Sequence, residues 1–287
     1  MNQNATQWTL TIDRCSLASK QAAVLLSSLP ASVRSLNLRD MGLVDAAVFE
    51  MPLLLQHPTK LQALSLKGNA LQVEGAMALS QGLIENTTVR LLDLSCNQLG
   101  SKGVMLLCEA FKGNKHLQSL FLNQNKITSE GAYAVADILI DDKCHLMELH
   151  LAWNLICNTG LNALFTALAM SNTKLRFIDL AYNFMDITVL HSLRRMLERS
   201  TTLKYLSIND LHRFNDRALE SLVPSLAANR SLKMLDVKQV TREFFEYLTV
   251  EVNDNRPEPI EFRRDELFLA STKHTALRSA SDKLALA

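Results

Sequence analysis

Aromatic residues are scarce in this sequence: Phe, Trp and Tyr make up 6% of 287 residues. Gly (9) and Pro (6) are also few, which excludes a collagen-like or low-complexity chain. Neither charge is in surplus. Lys+Arg is 30 against 29 Asp+Glu, a net +1, which argues against a protein that holds nucleic acid mainly by neutralising phosphates. No stretch approaches the roughly 18 uncharged apolar residues of a membrane-spanning helix. Residues 1–12 lack a basic stretch leading into an apolar run, so no secretory signal is expected. The cysteines, Cys15, Cys96, Cys108, Cys144 and Cys157, are odd in number and none forms CxxC. A disulfide framework or zinc module is therefore not expected, and an intracellular, cytoplasmic setting is. Nucleotide-loop, nucleophile-elbow and zinc-protease motifs are all missing, so neither enzymatic activity, cofactor nor metal is expected.

Leucine, by contrast, recurs on a ruler. Leu117 to Ile127 reads LxxLxLxxNxL, and the string returns at Leu61–Leu71, Val89–Leu99, Leu146–Ile156 and Leu175–Met185. Weaker copies begin at Gln7, Val33, Leu203 and Leu232, giving nine units at steps of 26 to 29 residues. Each unit opens with period-two alternation (Leu64/Leu66, Leu92/Leu94, Leu120/Leu122), the signature of a short strand. A helical stripe follows: after Asn97 come Gly103, Leu106, Leu107, Ala110 and Phe111. In the eighth unit a one-residue insertion within 211–214 restores the columns, which predicts an irregular loop and a regular helix.

Asn69, Asn97, Asn125, Asn154 and Asn183 form one column at the strand ends. A side-chain amide can donate to and accept from neighbouring turns whose backbone groups would otherwise be buried unpaired, so a structural ladder is expected. The outer units carry Cys15, Met41, Leu211 and Val240 instead, as terminal capping repeats would. A second column, Asn86, Asn114, Asn172 and Asn229, is expected to end helices in the left-handed conformation.

These motifs resemble the leucine-rich repeats of the ribonuclease-inhibitor type, over roughly residues 7–250. The resemblance implies an α/β solenoid: a curved horseshoe with a parallel sheet on the concave side and helices on the convex side. A TIM barrel alternates strand and helix at a similar length but has no periodic Asn rung. Two regions are expected, the repeat domain at 1–250 and a C-terminal extension at 251–287. In the extension the sequence RPEP breaks regular structure and Leu269, Leu277 and Leu284 mark a loose helical stripe, either a docking tail or a frayed end.

If alternate leucines face the core, the residues between them face the concave side. Units one to four present mainly small polar residues there. Units five to eight present Phe121, His150, Trp153, Phe177, Tyr182 and Tyr205, with Glu148 and Asp179 at the rim. Such a concentration of rings is read as a protein-binding patch; packing of the rings on the turns is the other reading. The expected function is a non-enzymatic interaction module, an adaptor or structural subunit whose partners are proteins and neither nucleic acid nor membrane. Two alternatives remain at this stage. Ran GTPase-activating proteins use similar repeats, but they carry a long acidic tail that is missing from 251–287, and Arg14 or Arg39 would have to serve the nucleotide. A cytoskeletal or ciliary subunit is the other.

Overall fold

The structure, a computed structural model, describes residues 8–12, 14, 21, 24–26, 28–30, 32–49, 51–56, 60–170, 173–209, 216–237, 241–254 and 256–263. Cys15, Asn172, Leu211, Val240 and the segment 264–287 lie outside them, and with them the expectations placed there.

Within the described residues the short alternating segments form ten strands: β1 (Trp8–Thr11), β2 (Val33–Asn37), β3 (Ala63–Ser65), β4 (Leu91–Asp93), β5 (Ser119–Phe121), β6 (Glu148–His150), β7 (Phe177–Asp179), β8 (Tyr205–Ser207), β9 (Met234–Asp236) and β10 (Glu261–Arg263). All pair in parallel, in sequence order, in one sheet. The central residue of each strand meets its counterpart, as in Leu92↔Leu120 and Leu149↔Ile178. Those positions point into the core, where Leu64, Leu92, Leu120, Leu149, Ile178 and Leu206 have no exposed surface. The opposite face of the helices closes that core: α1 (Met51–Gln56), α2 (Val73–Leu83), α3 (Gly100–Phe111), α4 (Ser129–Leu139), α5 (Asn158–Leu168), α6 (Leu190–Arg199), α7 (Asp216–Glu220), α8 (Val223–Ala228) and α9 (Arg242–Asn253). Each buries a stripe at helical spacing, such as Leu161, Leu164, Phe165 and Leu168 of α5. Parallel strands need a crossover, and from β2 onward each connection carries a helix, with α7 and α8 sharing the one between β8 and β9. None of the described helices is long and apolar enough to cross a membrane.

The Gly six residues after the rung Asn explains why some helices start cleanly. A Cβ on Gly160 would lie 2.8 Å from Ser129 Cα and 3.0 Å from Ala132 Cβ of the preceding repeat. Where this column holds Ala47 or Val189 instead, the segment opens as a 3₁₀ turn, Asp45–Ala47 or Ile187–Val189. Gly160→Ala is accordingly expected to cost about 1–3 kcal/mol by overpacking; urea unfolding monitored by circular dichroism measures it.

Two local expectations are corrected. The eighth helix is not regular: Pro224, at the start of α8, separates it from α7, because proline fits a first turn and not an interior. Ala218, Leu222 and Leu226 are nonetheless buried as the columns required. The second Asn column does not use the left-handed conformation at Asn86, Asn114 or Asn229. These side chains bridge instead. Asn86 Oδ1 accepts the N–H of Thr88 (3.0 Å) and Val89 (2.8 Å), while its amide donates to Leu55 O (2.7 Å) one repeat earlier.

The boundary expected at residue 250 falls inside α9, and the sheet continues beyond it. Arg256, within the RPEP sequence, donates to three carbonyls, Leu226 O (2.7 Å), Leu232 O (2.9 Å) and Glu258 O (3.0 Å). Asn253 then holds Ile260 at both its N–H and C=O, and β10 follows. Arg256→Ala should lower stability by about 1–2 kcal/mol through these lost charge-assisted bonds. Hydrogen exchange is expected to speed up first at Glu261–Arg263.

Candidate functional site

The Asn ladder sets the geometry of the concave rim. Asn154, 4% exposed, accepts the N–H of Asn125 (2.9 Å) and Ile127 (3.1 Å) from the preceding repeat. Its amide donates to Leu122 O (3.0 Å) and Leu151 O (2.9 Å). Asn69, Asn97, Asn125 and Asn183 are buried and bond in the same manner. To feed the rung, the residue before it turns left-handed: φ is 53° at Asp40, 69° at Gly68, 58° at Cys96, 55° at Gln124, 59° at Trp153 and 57° at Tyr182. Gly accepts this conformation freely, whereas a bulky residue is strained there. Trp153 and Tyr182 are thereby lifted from the sheet and stack on each other at 3.8 Å and 12°. Trp153 stays 42% exposed.

The other four rings form a second stack on the strands themselves. Phe121 lies on His150 (4.3 Å), His150 on Phe177 (4.5 Å) and Phe177 on Tyr205 (4.0 Å). The stack runs diagonally, because Phe121 pairs with His150, whereas Phe177 pairs with Glu148 and Tyr205. Stacking hides the rings: Phe121 is 4%, His150 9% and Tyr205 8% exposed, while Phe177 keeps part of its surface. Phe121 also packs against Ala63 and Leu91 in a small apolar cluster. The sequence thus grouped six rings that the structure separates into a floor of four and a raised wall of two.

Polar groups knit the floor. His150 Nε2 lies 3.0 Å from Glu148 Oε1 and its Nδ1 4.0 Å from Asp179 Oδ2. Ser119 donates to Glu148 (2.9 Å) and Tyr205 to Asp236 (3.3 Å). Burial, aided by the charges of Asp236 and Asp179, pushes the Tyr205 phenol well above its usual pKa, so it remains a donor. Burial likewise raises the Cys96 thiol, which donates to Gln124 (3.0 Å). Cys108 and Cys144 are raised by the same cause, and with Cys157 these are free thiols. Arg39 is paired with Asp40 at 3.2 Å. Among the described residues no group of three or more His, Cys, Asp or Glu is placed to hold a metal ion.

The wall and two of the floor rings, Phe121 and His150, line one groove of about 430 Å³ whose lining runs from Arg14 to Asp236. Between Trp153–Tyr182 and His150–Asp179 the lining consists of Ala152 and Ala181, the smallest side chains in the groove, and this alanine-floored stretch is its recess. Sequence reading missed this recess and the left-handed wall. The alanines were visible in the concave column, but their effect depends on what flanks them in space.

Comparison with known proteins places the architecture. Residues 57–80, 85–108, 113–136 and 142–165 match the family described as Leucine Rich repeat. None of the curated proteins matches the chain. Among solved structures, a Bacteroides fragilis protein is 13% identical over 90% of this chain and 75% of that one, with a TM-score of 0.55. The TLR13–ssRNA13 complex is 15% identical over 88% of this chain and 31% of that one, with a TM-score of 0.45. At 13% identity the likeness to the Bacteroides fragilis protein is one of fold.

Proposed function

We propose that this leucine-rich-repeat solenoid is a protein–protein interaction module: a non-enzymatic adaptor or structural subunit of an intracellular assembly that takes its partner in the concave groove. One observation carries the reading. Trp153 and Tyr182 occupy a column whose backbone requirement Gly68 meets without strain, yet two large rings stand there, stacked and lining the groove. Asp40, Cys96 and Gln124 bear the same backbone conformation, but only here does it hold two stacked rings, exposed Trp153 and half-buried Tyr182, toward a groove, and aromatic anchors of this kind are typical of recognition surfaces. The floor rings stiffen the sheet beneath, so little ordering entropy is lost on binding. A GTPase-activating role finds less support, since Arg39 is already paired with Asp40. A cytoskeletal or ciliary subunit would use the groove in the same way.

Affinity capture from a cell lysate tests the proposal. Proteins retained by the wild-type chain should be lost from a Trp153→Ala/Tyr182→Ala double variant. They should remain on a variant of the convex surface, Met105→Ala. Retention by the double variant would refute the concave reading.

A further inference from the structure

Charge is unevenly distributed along the groove. Arg14, Arg39 and Lys67 line it in the first three repeats, and Asp93, Asp179 and Asp236 from the fourth onward. Asp40 answers Arg39, whereas no described carboxylate lies within 4 Å of the Lys67 ammonium. The recess at repeats six and seven has a carboxylate, Asp179, on one side and the Trp153–Tyr182 wall on the other. Beyond it stands Asn209, which is 4% exposed and lines the same groove. Among the described residues its Oδ1 has no hydrogen-bond partner and its amide meets Ser207 Oγ at 3.5 Å. A buried acceptor left unmet is costly in itself and satisfied by an incoming donor. Guanidinium fits these requirements together. It is planar, stacks on aromatic rings, and carries five N–H donors for a carboxylate and an amide oxygen at once. An ammonium ion has neither the plane nor the reach.

We propose that the recess receives an arginine side chain of an extended segment of the partner, with acidic residues of that segment lying over Lys67. The proposal rests on the concave reading above and names its occupant. Lys67 and Asp179 are four repeats apart, so at about 4.8 Å per strand their columns are separated by roughly 19 Å. At about 3.3 Å per residue, an extended segment covers that span in roughly six residues. Opposite charges at that separation also fix the direction in which the segment lies.

Fluorescence polarisation with labelled synthetic peptides provides the test. The probe carries two Glu, a five-residue Gly/Ser spacer and one Arg; its control replaces Arg by the neutral isostere citrulline. The wild-type chain should bind the Arg peptide about tenfold or more tightly than the citrulline peptide. In Asp179→Asn that preference should vanish, while citrulline binding stays as it was; a merely structural effect would weaken both peptides alike. Lys67→Ala should weaken the Arg peptide severalfold and reduce its salt dependence. Equal binding of the two peptides by the wild-type chain, binding of neither, or an undiminished Arg preference in Asp179→Asn would overturn the assignment. If captured proteins still depend on Trp153 and Tyr182 when that happens, the arginine assignment alone fails. If that dependence is missing too, the concave reading fails with it.

Discussion

Replacing Asn154 by alanine lowers the unfolding free energy by about 2 kcal/mol or more, counting at least two buried partners left unsatisfied at about 1–3 kcal/mol each. The figure follows from what the rung holds. Two N–H groups of the preceding repeat, at Asn125 and Ile127, lose their acceptor, and the carbonyls of Leu122 and Leu151 lose a donor. Asn125 is itself a rung with no exposed surface, so water has no route to replace the lost bonds. In a solenoid each repeat is stabilised chiefly by its neighbours, and a central lesion weakens the interfaces on both sides. Urea unfolding should show a lower midpoint with a nearly unchanged slope. A loss below about 0.5 kcal/mol, the range of ordinary surface substitutions, would mean that the column is decorative.

Trp153→Ala has the opposite profile. Partner affinity is expected to fall by about 2 kcal/mol or more, as for a central aromatic anchor, while the unfolding midpoint barely moves. The ring is 42% exposed, stacks on the face of Tyr182 and is not part of the leucine core, so its removal opens no cavity there. Alanine in the left-handed turn is also no more strained than tryptophan, and Trp153→Gly should be stabilised by relief of φ 59°. A large stability loss with unchanged binding would identify the pair as turn packing.

The architecture was legible because its signals are chemically uniform. Leu64, Leu92, Leu120 and Leu149 repeat one residue type every 28 or 29 residues, and the rung Asn does the same. The left-handed column was not legible, since Asp40, Gly68, Cys96, Gln124, Trp153 and Tyr182 share a conformation and no chemistry. The ring stack was only half visible. Concave columns place Phe121 with His150 and Phe177 with Tyr205, whereas the stack crosses from one column to the other between His150 and Phe177. Burial of the floor follows from that crossing, and no single column predicts it. At the C-terminal end the signal was too short: β10 has three residues and no leucine, and what positions it is Arg256 binding carbonyls of the two preceding units. The second Asn column failed for another reason. Asn favours left-handed turns and side-chain bridges alike, and only the carbonyl of Leu55, one repeat away, decides for the bridge at Asn86.

The central claim is that the groove, and not the helical surface, meets the partner. It can be tested directly by placing a photo-activatable phenylalanine at Gln124, beside the aromatic wall, and separately at Met105 on α3. Irradiated in a cell lysate, the chain labelled at 124 should form a discrete crosslinked species that excess unlabelled protein competes away, and the chain labelled at 105 should not. Crosslinks formed at 105 and missing at 124 would place recognition on the helices and contradict the account.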